Sequence, residues 1–388
     1  MKIKIFKWLP LLLLVFGIFL SACSSGSSGN PSVVEGTGNS PPDQPLPQSL
    51  PQDIVSGDKG QVLDDFISQD NPLFSGSILV AQEGEILLSK GYNFANWELK
   101  APNSRLTKYR ISSITKPFTA TMILILAEEG LLDLDDRLCA HLPDCPDTLQ
   151  GITILNLLTH TSGVPDYTAL PGAEEASRDP HGVSSLVNSF KDEPLEYSPG
   201  ETYQYSNSNY ILLGAVIEQV SGNRYEKFLE RAILNPLDIE DTGMDYQDEI
   251  LKDRAAGYQI QGRVLVNAPY LDMSNAYAAA GMYSTVADLY VFDQALTNGQ
   301  LLNLENQELM YSPIQAADGS GGGYGLGWQL SEGNGHRWVG HSGGIHGFRV
   351  FLGRYLDDGV TITLLSNIQT EDIDPIIDGL EQIVFDEE

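Results

Sequence analysis

A serine and a lysine three residues apart, Ser113 and Lys116, lie where an apolar run begins in RISSITKPFTA, residues 110–120. On the first turn of a helix this spacing places both side chains on one face, with Cβ atoms about 5–6 Å apart. The positive end of the helix lowers the proton affinity of the lysine, so the pair can act as nucleophile and base. Serine is also a favoured helix cap. The spacing alone leaves both interpretations open.

Other stretches must separate these interpretations, because Ser-x-x-Lys is a weak motif. A second copy, Ser56 to Lys59, lies in a Gly- and Asp-containing stretch that shows no helical pattern. Tyr205-Ser-Asn207 follows a Pro-Gly turn and precedes an apolar helical run. His341-Ser-Gly343 lies in a late strand pattern.

The elements that would position these residues change in kind along the chain. Strand patterns occupy residues 76–82, 85–91, 324–330, 337–341, 348–355 and 360–365, and helical patterns occupy residues 115–129, 152–158, 209–220, 225–233 and 373–385. Strands at both ends with helices between them predict an α/β (α+β) fold. We expect one antiparallel sheet built from N- and C-terminal strands and flanked by helices, with an inserted, mostly helical subdomain at about residues 113–277.

The N-terminus carries an export pattern. Three lysines precede a short apolar stretch, and Leu20-Ser-Ala-Cys23 is similar to the lipobox of a bacterial lipoprotein signal peptide. That similarity implies a signal peptide over residues 1–22, lipid attachment at Cys23, and a protein exported and anchored to the extracytoplasmic side of a membrane. A plain secretory peptide is the alternative. Residues 23–60 are expected to form a disordered Ser/Gly/Pro-rich spacer, and residues 61–388 the folded domain.

The charge balance excludes some partners. The chain has 52 acidic and 22 basic side chains and a formal net charge of −30. Nucleic acids and anionic lipid surfaces require basic residues, so we expect neither as a partner, and membrane contact only through the lipid anchor. Export would permit a disulfide between Cys139 and Cys145, with two free thiols as the alternative.

Taken together, the motifs resemble those of the penicillin-recognising serine hydrolases, in particular the group of class C β-lactamases, D-alanyl-D-alanine carboxypeptidases and esterases. The resemblance extends over residues 74–367 and includes the phrases around the motifs. These phrases are Leu157-Leu-Thr-His-Thr-Ser-Gly163, Ala280-Gly-Met-Tyr-Ser-Thr285 and Gly325-Leu-Gly-Trp328.

The resemblance implies a role for each motif residue. Ser113 would be the acylated nucleophile, and Lys116 its activating partner. Tyr205 would carry a proton to the leaving group and activate the deacylating water. The residues implied in substrate binding are Asn207, His341, Ser342, Gly343 and Gly344. The backbone N–H groups of Ser113 and Gly344 would form the oxyanion hole.

The motif His341-Ser-Gly343 differs from the form that β-lactamases have, which usually begins with lysine at the position of His341. A mostly neutral imidazole binds a carboxylate less strongly than lysine does. We therefore predict a serine hydrolase that forms an acyl-enzyme on small amide, peptide or ester substrates, of D,D-carboxypeptidase or esterase type. The alternatives are a class C-like β-lactamase and a non-catalytic lipoprotein that binds cell-wall peptides. We expect a monomer that uses no cofactor and no metal.

Two further patterns in the same region predict little. Gly340-His-Ser-Gly-Gly344 has the form of a nucleophile elbow, but a strand pattern follows it where an elbow needs a helix. His336, His341 and His346 recur every five residues, a spacing that alternates between the two faces of a strand. Neither an elbow nor a metal site is expected.

Overall fold

Strands from both ends of the chain form one antiparallel sheet in the computed structural model, which describes residues 53–333 and 335–386. The strands are β1 (Ile54–Val55), β2 (Gly76–Gln82), β3 (Glu85–Tyr92), β4 (Phe94–Asn96), β5 (Ala101–Pro102), β6 (Tyr109–Arg110), β7 (Gly243–Met244), β8 (Tyr258–Gln261), β9 (Val264–Asn267), β10 (Met282–Ser284), β11 (Gln329–Gly333), β12 (His336–Ile345), β13 (Phe348–Tyr355) and β14 (Val360–Ser366). The main sheet has the order β1-β3-β2-β14-β13-β12-β11.

Helices occupy the middle of the chain and both outer layers. They are α1 (Gly57–Asp65), α2 (Thr115–Glu128), α3 (Leu138–His141), α4 (Ile154–Leu158), α5 (Ala173–Ala176), α6 (Val183–Asn188), α7 (Asn207–Ser221), α8 (Tyr225–Leu229), α9 (Tyr277–Ala280), α10 (Val286–Thr297), α11 (Leu304–Met310) and α12 (Asp374–Phe385). Short 3-10 or π turns occupy Phe66–Asp70, Ser112–Ile114, Asp147–Leu149, Tyr167–Ala169, Glu230–Leu234, Asn235–Leu237 and Met273–Asn275.

Both faces of the sheet are covered by helices. Successive side chains of a strand point to opposite faces, so each central strand contributes apolar side chains to both layers. On β2, Ile78 and Val80 pack in the layer with α1 and α12, whereas Leu79 packs on the opposite face among residues of α2 and α7. Strand β14 divides in the same way and is buried along its whole length. The predicted sheet built from N- and C-terminal strands and flanked by helices is confirmed.

Three local expectations are wrong. The folded part begins before residue 61, because Ile54–Val55 pairs with β3. Ser56 precedes α1 directly, so the second Ser-x-x-Lys does start a helix; Lys59 donates to the carbonyl of Val384 at 2.9 Å. The strand predicted over residues 324–330 starts only at Gln329, where regular pairing with β12 begins.

A buried ion pair joins the sheet to the helical layer. Arg354 of β13 and Asp293 of α10 are 2% and 1% exposed, and the guanidinium donates from Nε to the Asp293 carboxylate. The same guanidinium donates to the hydroxyl of Thr297 at 2.8 Å. The hydroxyl of Thr361 on β14 also donates to Asp293, at 2.5 Å. This network replaces the water that both charges lose on burial.

Removal of one partner should therefore be costly. In Arg354→Met the Asp293 carboxylate is left buried without its cation, and we expect the free energy of unfolding in urea to fall by about 3–5 kcal/mol. The control is Arg337→Met, because the Arg337 side chain is 66% exposed and lies 3.6 Å from Asp357. That variant should change stability by less than about 1 kcal/mol. Equal effects of the two substitutions would contradict a stabilising role for the network.

Candidate active site

Ser113 lies in the 3-10 turn that leads from β6 into α2. Its neighbour Ser112 is buried and has a φ of 49°, a left-handed conformation that costs a non-glycine residue about 1–3 kcal/mol. Neither serine is a helix cap: the N-cap positions of the turn and of α2 are Ile111 and Ile114, without side-chain capping bonds. The Ser113 hydroxyl instead accepts hydrogen bonds from Lys116 Nζ at 3.3 Å and from Tyr205 at 3.0 Å.

The Lys116 amine is fully buried and has three hydrogen-bond acceptors. Besides Ser113, Nζ donates to Asn207 Oδ1 at 2.8 Å and to the carbonyl of Ala279 at 3.0 Å. Burial lowers the pKa of Lys116 to about 7, and the negative charge of Asp166 opposes this shift. Near neutral pH a substantial fraction of the amine is therefore unprotonated and can accept the Ser113 proton.

The Tyr205 phenol completes the contacts to the nucleophile. Burial raises the pKa of Tyr205 above its usual value, and the hydrogen bond to Ser113 opposes this only in part. The phenol therefore stays protonated at neutral pH. This state fits a proton donor to the leaving group.

Asn207, the first residue of α7, is fixed by a carboxylate that the sequence motifs did not include. Asp166 Oδ2 accepts from the backbone N–H of Asn207 at 3.1 Å and from its Nδ2 at 2.9 Å. These bonds turn Oδ1 of Asn207 towards Lys116. The only sequence signal for Asp166 is its position three residues after the Thr-His-Thr-Ser-Gly phrase.

Strand β12 supplies a backbone edge opposite the nucleophile. A Cβ added to Gly343 would lie 2.9 Å from the backbone nitrogen of Ser113, so only glycine permits this approach. The N–H of Ser342 points away from β13, because it donates to the side chain of Gln329 at 3.0 Å. By strand alternation the N–H of Gly344 points the same way. Gly344 is exposed and lines the same cavity as Ser113, as an oxyanion donor must.

The structure corrects the expectation that the side chains of His341 and Ser342 bind substrate. His341 is 1% exposed, and its Nε2 lies 3.1 Å from the hydroxyl of Tyr324. Burial, with the nearby charge of Lys116, lowers the pKa of His341 to about 3, so its imidazole is neutral. Neither His341, Ser342 nor Gly343 lines the cavity. The imidazole of His341 instead belongs to a group of rings around Tyr205, and its centroid lies 6.2 Å from that of the Tyr205 ring.

His160 is another ring next to Tyr205. Its ring lies 4.2 Å from that of Tyr205, with an interplanar angle of 34°. Its Nδ1 accepts from the backbone N–H of Ser206 at 3.2 Å and lies 3.1 Å from Asn209 Nδ2. Burial lowers the pKa of His160 well below its usual value. His160 therefore positions Tyr205 as a neutral ring, a function that no sequence motif indicated.

A cavity of about 630 Å³ opens over these groups. Ser113, Tyr205, Asn207 and Gly344 line one side, and the other walls come from residues 167–189 and 271–280. Strand β12 runs without interruption through Gly340–Gly344, so the elbow is absent, and no group of potential metal ligands occurs among residues 53–333 and 335–386.

Cys23 and the rest of the signal and spacer lie outside the described residues. Cys139, which lies in α3, is joined to Cys145 by a disulfide.

A serine hydroxyl held between a buried amine and a phenol, opposite a free N–H edge of a strand, defines a serine hydrolase that works through an acyl-enzyme. The Beta-lactamase family matches residues 63–381, so the chain belongs to the beta-lactamase family. The family predicted from the sequence motifs is therefore confirmed.

Individual relatives give the same result. Penicillin-binding protein 4* of Bacillus subtilis (strain 168) is 32% identical over 333 residues, which cover 80% of this chain and 72% of that protein. Among solved structures, a D-stereospecific amidohydrolase from Streptomyces sp. has a TM-score of 0.71 at 27% identity, with 83% of this chain and 98% of that chain covered. The D-amino acid amidase from Ochrobactrum anthropi SV3, complexed with D-phenylalanine, has a TM-score of 0.73 at 25% identity, with coverages of 84% and 97%.

The pKa of Lys116 predicts the pH dependence of acylation. Because the amine must be unprotonated, kcat/KM for a neutral ester should rise with pH to half its maximum near pH 7. Asp166 raises the pKa of Lys116, so Asp166→Asn should move this rising limb to lower pH. Asp357→Asn, which changes an exposed carboxylate, is the matched control and should leave the limb in place. A limb that stays or moves to higher pH in Asp166→Asn would exclude Lys116 as the titrating base.

Proposed function

We propose that this chain hydrolyses small amide or ester substrates through an acyl-enzyme on Ser113. The observation that carries the proposal is the position of the Ser113 hydroxyl, 3.3 Å from the Lys116 amine and 3.0 Å from the Tyr205 hydroxyl. Lys116 is the base of acylation, and Tyr205 is the proton donor. The backbone N–H groups of Ser113 and Gly344 form the oxyanion hole, and Asn207 contacts the acyl group.

In the proposed reaction, neutral Lys116 takes the proton of Ser113 while Oγ bonds to the substrate carbonyl carbon. The carbonyl electron pair moves to its oxygen, which the two backbone N–H groups stabilise; each such donor contributes about 10²–10³ to the rate. Collapse of this intermediate expels an amine or alcohol that receives its proton from Tyr205, and Lys116 reprotonates the phenolate. In deacylation Tyr205 first gives its proton to neutral Lys116, and the phenolate then takes a proton from a water molecule that attacks the acyl carbonyl carbon. The bond to Ser113 Oγ breaks, and Lys116 returns the proton to this oxygen.

The neutral, buried state of His341 supports a preference for amides and esters over β-lactams. Lysine at this position would place a cation near the reacting groups, whereas His341 supplies no charge. Of the similar structures named above, one is a D-stereospecific amidohydrolase and the other a D-amino acid amidase. We therefore propose D-aminoacyl amides, peptides and esters as the substrate class, as in a D,D-carboxypeptidase, amidase or esterase.

Intact-mass spectrometry of the protein without residues 1–23 tests the nucleophile. We expect an adduct after mixing with a p-nitrophenyl ester or a penicillin, and none in Ser113→Ala. Ser342→Ala, which removes the hydroxyl of the elbow-like sequence, is the control and should retain the adduct. Slow loss of a penicilloyl adduct would agree with the peptidase-like proposal. Rapid penicillin turnover would contradict it in favour of a β-lactamase, and absence of any adduct would contradict the acyl-enzyme.

We also propose that the protein is an exported lipoprotein. The lipobox-like sequence before Cys23 supports cleavage of residues 1–22 and lipidation, and a disulfide is typical of proteins in oxidising compartments. In this proposal the spacer leads to a hydrolase domain that begins near Asp53. Within the described residues, no helix has the length and apolar character needed to cross a membrane.

Cell fractionation tests the anchor. The parent protein should partition with membranes, and Cys23→Ala should be found in the soluble or secreted fraction because it cannot be lipidated. Cys139→Ala is the control: it replaces a different cysteine, breaks the disulfide, and should stay with the membrane. Membrane association of the Cys23→Ala protein would contradict the proposed lipid attachment.

A further inference from the structure

A second cavity, of about 300 Å³, adjoins the active-site cavity. Leu271 and His346 line both cavities, so the two spaces meet at these residues. Arg110 and Arg254 lie in the wall of the second cavity, and none of its lining residues is acidic. The wall of this cavity therefore contains two positive side chains and no negative one, although the chain as a whole has a net charge of −30.

The two guanidinium groups share one carboxylate behind the wall. Asp245 is 2% exposed; it accepts from Arg110 Nε at 2.7 Å and from Arg254 Nη2. Arg254 Nη2 also donates to the carbonyl of Tyr246 at 3.2 Å. Two cations with one anion leave one positive charge. The terminal nitrogens of Arg110 make no hydrogen bond to any described residue, and neither does Nη1 of Arg254.

Two buried nitrogen atoms at this cavity also have no partner. They are Nε of Arg254 and Nδ1 of His346. Buried polar atoms are rarely left unpaired, because their lost hydration is not replaced. A purely structural role, in which the arginines tie β6 to the chain before β8, explains the contacts with Asp245. It does not explain why two buried nitrogens of residues that line the cavity are unpaired.

We propose that this cavity is a subsite for an oxyanion, a carboxylate or a phosphate, carried by the acyl part of the substrate. Arginine is well suited to such groups, because its planar donors match their geometry. The inference rests on the proposed function, in which Tyr205 protonates the leaving group; Tyr205 lines the active-site cavity and not the second cavity. The second cavity is therefore assigned to the acyl part of the substrate.

Two esters with acyl chains of equal length test the proposal. They are p-nitrophenyl valerate, which is neutral, and the p-nitrophenyl monoester of glutaric acid, which carries a terminal carboxylate. We expect the parent to prefer the glutarate ester in kcat/KM. This preference should fall by about 10–100-fold in Arg254→Gln, the usual effect of losing a charge-assisted hydrogen bond, and less in His346→Gln.

Arg263→Gln is the matched control, because it removes the charge of an exposed arginine outside the cavity and should leave the preference unchanged. Melting temperatures identify variants that fail to fold, and Arg254→Lys, which retains the charge, should keep part of the preference. No preference in the parent, or an unchanged preference in both cavity variants, would overturn the proposal.

Calorimetric titration of the Ser113→Ala protein separates this proposal from the proposed function, because it requires no turnover. Saturable binding of glutarate, weakened in Ser113→Ala/Arg254→Gln, supports a carboxylate subsite. Tighter binding of inorganic phosphate supports a phosphate-bearing substrate in the same subsite. Binding of neither anion overturns the subsite. Failure to hydrolyse either ester would contradict the proposed function, and the titration would still decide the subsite.

Discussion

The burial of one amine, that of Lys116, determines how the rest of the site is arranged. Its hydrogen-bond acceptors belong to three elements that are distant in sequence: the turn at Ser113, the start of α7 at Asn207, and α9 at Ala279. A buried amine that water does not reach depends on these three groups as its hydrogen-bond partners, because an unpaired buried donor is costly. The same burial lowers its proton affinity, so the packing that excludes water from the helical core also produces the base.

The close contact between strand β12 and the turn that contains Ser113 depends on backbone conformation and not on side-chain packing. Ser112 adopts a left-handed conformation that turns Ser113 towards the cavity, and Gly343 allows β12 to approach the nitrogen of Ser113. Two N–H donors can converge on one oxygen only if no side chain separates them. The strain at Ser112, about 1–3 kcal/mol, is small compared with the stabilisation available from a core of this size.

Sequence alone predicted the parts that depend on local spacing. The Ser113–Lys116 pair follows from helical geometry, and the order of strands and helices indicated the sheet built from both ends. Asp166 and His160 were missed as functional residues because their contacts, to Asn207 and Tyr205, join segments about forty residues apart. The side chain of His341 could not be placed for a related reason: strand alternation indicates two faces, but not which face the nucleophile occupies.

The position of β2 within the sheet has a consequence for the order of folding. This early strand lies between β3 and β14, and its pairing from Gly76 to Ser366 joins positions almost 300 residues apart. Such non-local pairing closes a very long loop, which makes assembly slow. A ribosome-bound chain that still lacks β14 has an N-terminal hairpin without its central neighbour. Strand β12 then has no sheet to hold it against Ser113, so hydrolytic competence arises only after β14 has been synthesised.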